Sequence, residues 1–383
     1  MDTLRSDAAS HPLPARVRDE LTDVDRLRTI WAGQRDGRPR EARAAARQEL
    51  VHRRVRELGG GPGLVEAVLS VSREGMAGQP VCADYVMQLS ALAAALPTDR
   101  ACRVPERRLD WNESRNLAEA AELPAHPVVR AAHVLAGCAD LLGATGTSPD
   151  DGLPWVLPWM LASAVLQRAC YPPLLPDPLA LRPPVTVREP GERLAGLVHH
   201  VARLATGTLR DELCWVPAEV PEPRGSRPPL ASVTCRRIEA YVRSRGEALD
   251  LMLRAMDPRA GTTVRSGGSG DAPRQDPGSA PASRTVLTPG AAHWWTSLEL
   301  VAGDASLTLF VVVQEVGRPE TGVLAVTADG RLTTPEGVRD TLDMSRADSV
   351  TVIPTDSVDE RWPEIRDLVD EAVSRSMNAL TRV

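Results

Sequence analysis

The sequence contains no lysine, so its basic side chains, 45 in all, are arginine. This excludes a phosphate-binding G-x-x-x-x-G-K-S/T loop, which needs a lysine ammonium on the phosphates. Aromatic residues make up 3% of the chain, with a single phenylalanine, Phe310. Neither G-x-G-x-x-G nor G-x-S-x-G occurs, which removes the dinucleotide fingerprint and the nucleophile elbow. Six cysteines (Cys82, Cys102, Cys138, Cys170, Cys214, Cys235) are scattered without a C-x-x-C pair or a His/Cys cluster of zinc spacing. They are therefore expected to be small buried hydrophobes in a reducing compartment. Long apolar runs are missing too. The longest, Leu153 to Leu166, holds fourteen residues and is broken by Pro154 and Pro158, too short to span a bilayer. Met1 to Ser10 is polar with no apolar h-region, so a cytoplasmic location is expected and no membrane contact.

What is present describes a soluble globular protein. A chain of 383 residues, 43% hydrophobic and 25% charged, is long enough for two domains. Codon usage of a GC-rich genome accounts for arginine in place of lysine, and selection against lysine-directed tagging would leave the same trace. Net charge is −6 and charges of both signs are interspersed. Without a basic field there is little counterion release to gain, so nucleic acid is not expected as a partner. Arginines crowd between Arg40 and Arg56, but Glu41, Glu49 and Glu57 interrupt them, and a solvated helix face is expected there.

Periodicity divides the chain. From Arg16 to Met256 the pattern is helical: Val17, Leu21, Val24, Leu27, Ile30 and Trp31 trace one face, and Ala44 to Leu58, Leu64 to Ser72 and Tyr85 to Leu96 repeat it. Leu153 to Leu166 is expected to be a buried helix with Pro154 in its first turn. Gly191 to Leu213 and Ser232 to Met256 supply the last two helices. Residues 258–283, rich in Gly, Ser, Pro and Asp, read as a disordered linker.

Beyond the linker the pattern changes. Leu307 to Val313 and Gly322 to Ala328 read as strands, Asp329-Gly330 as a hairpin turn leading to Arg331 to Thr334, and Ser349 to Pro354 as a further strand. Ser357 and Glu360 form a capping box before a helix with Trp362, Ile365, Leu368, Val369, Ala372, Val373, Met377 and Leu380 on one stripe. The expected fold is thus α+β overall: an all-α helical bundle over 1–257, the linker, and a small α+β domain over 284–383 built of an antiparallel sheet and one long helix. One helix cannot cover both faces of a sheet, so the C-terminal domain is expected to bind a protein partner or a second copy of itself. His293, Trp294 and Trp295 at its start are candidates for that interaction surface.

The stretch Leu123 to Pro173 carries the outline of a known site. It opens Leu-Pro-Ala-His-Pro-Val-Val-Arg-Ala-Ala-His (Leu123 to His133), runs as an apolar helix to Leu142, crosses a polar loop and ends Leu-Gln-Arg-Ala-Cys-Tyr-Pro-Pro-Leu-Leu (Leu166 to Leu175). This outline resembles the Fic/Doc family. There a helix opening on His-Pro leads to a loop reading H-P-F-x-D/E-G-N-G-R-x-x-R, and a second helix ends near R-A-G-Y-P-P. Counting back from Tyr171-Pro172-Pro173 places that loop on Ser148 to Trp159, where only Pro149 matches.

The resemblance implies a Fic-like helical core from which the ordinary activity is absent. In the family the loop histidine is the base, the acidic residue holds a divalent metal, and glycines and arginines bind nucleotide phosphates. Here Ser148 stands at the base position, and Trp155, Val156 and Trp159 replace the anion-binding residues. Gly143, Gly146, Ser148 and Gly152 remain as candidate binding positions, while Asp150 and Asp151 repel a triphosphate. The expectation is a non-catalytic Fic-like binding or regulatory module that needs no cofactor and no metal. The alternative is a nucleotidyl- or phosphotransferase using ATP with Mg, in which His126 or His133 is the base and Asp150 or Asp151 holds the metal.

Overall fold

A computed structural model describes residues 13–36, 39–57, 62–71, 79–94, 108–143, 156–175, 190–214, 229–269, 286–287, 292–317, 321–342 and 349–380. Among these are ten helices and six strands, helices first and an antiparallel sheet with a long final helix afterwards, so the mixed α+β class stands. The chain divides into two compact units between Glu212 and Leu213.

The N-terminal unit holds α1 (Ala15–Asp36), α2 (Arg40–Glu57), α3 (Pro62–Val71), α4 (Ala83–Ala94), α5 (Trp111–Ala121), α6 (Pro127–Gly143), α7 (Val156–Arg168) and most of α8 (Pro190–Cys214). The stripe expected on α1 is the buried one, with Val24 and Leu27 each 1% exposed. Helix α5 begins with a capping box, the Asp110 carboxylate accepting from the Glu113 amide while the Glu113 side chain accepts from the Asp110 amide. Helix α7 is buried on every side except at Leu157, and it packs against α3, α4 and α6. An all-round apolar helix has no solvent face to offer, so it becomes the axis of the bundle. Pro158 falls within its first turn, where backbone N–H groups have no helical acceptor to lose.

The C-terminal unit is built on a sheet of order β1-β2-β3-β4-β5, with β6 also pairing β4. Its strands are β1 (Gly261–Gly268), β2 (His293–Ala302), β3 (Ala305–Val316), β4 (Val323–Thr334), β5 (Gly337–Asp340) and β6 (Val350–Val352). All pairings are antiparallel. Two helices pack on it: α9 (Pro229–Met256) over β1 to β3, and α10 (Val358–Leu380) over β3, β4 and β6. Their shared core joins Ile238, Val242 and Leu253 of α9 and Ile365, Val369 and Ala372 of α10 to Leu298, Leu309, Val311, Leu324 and Val326 of the sheet. Along the seam between the helices, Tyr241 meets Trp362 edge-on at 5.5 Å and donates its hydroxyl proton to Asp370 at 2.7 Å. Arg245 Nε donates to the same carboxylate at 2.9 Å, and Arg237 lies over the Trp362 ring at 4.5 Å. Burial of the Tyr241 hydroxyl and its bond to Asp370 raise its pKa, so the donor stays protonated.

Three expectations are corrected here. The boundary at 257 is displaced, because α9 belongs to the sheet's core. The linker expected over 258–283 begins with a strand: β1 pairs residue for residue with β2, from Gly261 opposite Val301 to Gly268 opposite Trp294. An edge strand buries little, so Thr262 and Val264 suffice to hold it; residues 270–283 lie outside the described residues. Third, Asp329-Gly330 is not a turn. Strand β4 runs straight through it, Asp329 opposite Phe310 and Gly330 opposite Leu309, and the hairpin comes at Thr334–Gly337. Gly330 is required by close approach instead. A Cβ there would stand 2.4 Å from Thr341 Oγ1, 2.8 Å from Ser376 Oγ and 2.9 Å from Leu342 Cγ.

The expected capping box is present, the Glu360 amide donating to Ser357 Oγ at 3.1 Å and the Ser357 amide to Glu360 Oε2 at 2.9 Å. The expected uncovered sheet face is not found on the central strands. Opposite the helices, Phe310, Val312, Gln314, Val323 and Ala325 are buried, and the Leu287 amide donates to Gln314 Oε1 at 2.8 Å.

Ile238→Ala, in a helix outside the expected C-terminal domain, should weaken the sheet by about 2–5 kcal/mol. Hydrogen exchange of the β3 amides reads this directly; unchanged protection would detach α9 from the sheet. Gly330→Ala should cost about 1–3 kcal/mol by overpacking, measured by chemical denaturation.

Candidate functional site

Five of the residues at which the sequence suggested chemistry cannot be placed beside the others. Gly146, Ser148, Asp150, Asp151 and Gly152 lie outside the described residues, and Gly143 is the last residue of α6. His126 stands directly before the first residue of α6, and His133 lies on that helix two turns further on. Around His126 the fold gathers a cluster that the sequence did not announce: Asp25 and Arg28 from α1, and Tyr171 from the segment after α7.

Each member is positioned for a local reason. Helix α7 ends with the Cys170 amide donating to Gln167 O and the Tyr171 amide donating to Leu166 O, both at 3.0 Å. This is a Schellman close, which puts its C′ residue in the left-handed region. That residue is Cys170, with φ of 63°, the one described non-glycine residue at positive φ. The chain thereby reverses and drives Tyr171 into the bundle, 3% exposed. The amides of Leu174 and Leu175 then bond Ser163 Oγ at 2.9 Å and Thr208 Oγ1 at 3.0 Å, holding the returning segment on α7 and α8.

At the start of α6 the side chain of His126 does the work of a cap. Its Nδ1 accepts the Val128 amide at 3.2 Å, satisfying one of the donors a helix N-terminus leaves open, while Pro127 occupies the first position and has no donor to satisfy. With Nδ1 an acceptor, the neutral ring carries its proton on Nε2, which lies 3.2 Å from Asp25 Oδ2. Asp25 Oδ1 accepts the Tyr171 hydroxyl at 2.5 Å and faces Arg28 Nε at 3.5 Å. Arg28 covers the Tyr171 ring at 4.8 Å and donates to Ala169 O at 3.3 Å. Burial, then the bond to Asp25, push the Tyr171 pKa far above the phenol range, so its proton stays in place. Chemically the cluster is a clasp: Asp25 is the common acceptor, and both nitrogens of the neutral His126 are engaged.

His133 is 7% exposed and has no hydrogen-bond partner among the described residues. Burial lowers its pKa below 6.5, which keeps the ring neutral.

The arginine-rich helix α2 also departs from its expected solvated face. Arg47 pairs with Glu212 at 2.9 Å, and the same carboxylate accepts Trp31 Nε1 at 3.3 Å. Arg54 is buried and paired to buried Asp211. Two of the six crowded arginines, Arg47 and Arg54, could not be told from surface residues by composition, because their partners lie about 160 positions away in α8. His199 Nδ1 faces Glu20 Oε2 at 2.8 Å, and neither His199 nor His200 is fully exposed. No group of three metal-ligating side chains occurs among the described residues. The cysteines divide: Cys138, Cys214 and Cys235 are buried as expected, whereas Cys82 and Cys170 are exposed, and Cys102 lies outside the described residues. Burial raises the Cys138 thiol to about 12.

His293, Trp294 and Trp295 lie on β2. Side chains alternate along a strand, so the two tryptophans point to opposite faces of the sheet. Trp294 packs against the core beneath the helices, and Trp295 meets Phe310 edge-on at 5.7 Å. They do not form one aromatic surface.

No family model, no curated protein and no solved structure matches this chain.

Replacing Cys170 by glycine should stabilise the protein by about 1 kcal/mol, because glycine adopts the left-handed C′ position without the Cβ penalty. Thermal unfolding measures it, and no gain would mean that the Cys170 side chain compensates. For His133 the sign follows from its lowered pKa. Below 6.5 the unfolded chain takes up a proton that the folded chain resists, so stability falls as pH drops from 6.5 towards the folded value. His133→Leu should flatten that part of the denaturation profile, by at most about 1.4 kcal/mol per pH unit.

Proposed function

We propose that this protein is a non-catalytic Fic-like binding or regulatory module, whose C-terminal α+β unit engages a protein partner or a second copy of the chain. The observation that carries the reading is the condition of His126. At the His-Pro step where the resemblance begins, both ring nitrogens are committed to structure, one to the Val128 amide and one to Asp25. A general base needs a free lone pair within reach of its substrate. His133, the other candidate, is buried and neutral.

The Fic-like outline itself gains support from Cys170. In the family ending R-A-G-Y-P-P, this residue stands where glycine does, and here it adopts the left-handed conformation that glycine favours. Among the described residues no helix is long and apolar enough to cross a membrane. Net charge of −6 leaves nucleic acid without an electrostatic footprint, which favours a protein as the partner.

Purified full-length protein incubated with labelled ATP and Mg²⁺ or Mn²⁺ should transfer no label to itself or to a generic protein target. Incorporation that disappears in Asp151→Ala or His133→Ala would replace this reading with that of a transferase with an altered centre.

A further inference from the structure

We draw no further inference here: the strongest candidate, the outer edge of strand β1 in the C-terminal unit, carries nothing, because nothing in the structure shows what covers it and Asp250 already accepts the amide of Thr262 there at 2.9 Å.

Discussion

The apolar face of the C-terminal sheet must be removed from water, and one helix is too narrow to do it. Five strand positions at about 4.8 Å each span about 19 Å, whereas a helix with its side chains is about 10–12 Å across. Helix α10 covers β3, β4 and β6, which leaves Leu298, Leu300 and Val264 of β1 and β2 for a second helix. That requirement assigns α9 to this unit and places β1 immediately after it. Gly246 marks how close the two come: a Cβ there would lie 3.1 Å from Leu298 Cδ1 and Val264 Cγ2. The polar seam of Tyr241, Trp362, Asp370, Arg237 and Arg245 keeps the two helices adjacent. Most of it is partly exposed, so it fixes register more than it adds stability.

In the N-terminal unit the corresponding constraint is the burial of α7. A helix enclosed on all sides requires its neighbours to be held around it, and the holding contacts join distant parts of the chain. Asp25 links α1 to the start of α6 and the end of α7. Arg47 and Arg54 link α2 to α8. The two kinds of clasp differ energetically. Arg54 and Asp211 are both buried, so removing either one breaks a buried ion pair, at a cost of about 3–5 kcal/mol. Asp25 is partly exposed and its contacts are individually modest, but it has three partners, and loss of its carboxylate would release all of them together.

Local patterns were legible in the sequence and long-range partnerships were not. The α1 stripe, the buried α7, the Ser357–Glu360 box and the apolar side of α10 each follow from residues within a turn or two of one another. Asp329-Gly330 reads as a turn because a dipeptide common in turns also serves where other segments must approach a strand closely, and the residues that separate the two cases, Thr341, Leu342 and Ser376, lie 11 to 46 positions on. Strand β1 was hidden by Ser266-Gly267-Gly268, since composition that suits a linker also suits an edge strand resting under a helix. At the candidate site, the Pro127 helix start could be read from sequence. Asp25 and Tyr171, 146 residues apart, offered no local signal, and the sequence gives no reason for them to meet until α7 turns at Cys170.

The cluster around His126 also bounds what chemistry that residue could support. To act as a base it must release either the Val128 amide or Asp25. Losing a side-chain cap costs about 1 kcal/mol, and losing a hydrogen bond to a charged acceptor costs about 1.5–3 kcal/mol. Releasing Nδ1 is the cheaper route, and at 1.36 kcal/mol per tenfold it leaves roughly one molecule in five or six competent. Rearrangement of that size would slow a reaction only several-fold. The stronger obstacle is orientation. Freed at Nδ1, the ring is still pinned through Nε2 to Asp25, and its lone pair points at the first turn of α6 and not at open solvent. A substrate would have to take the place of the Val128 amide, which the start of the helix holds rigidly. The ring therefore anchors α6 to α1, and proton transfer through His126 Nδ1 would require the Val128 amide to be released first.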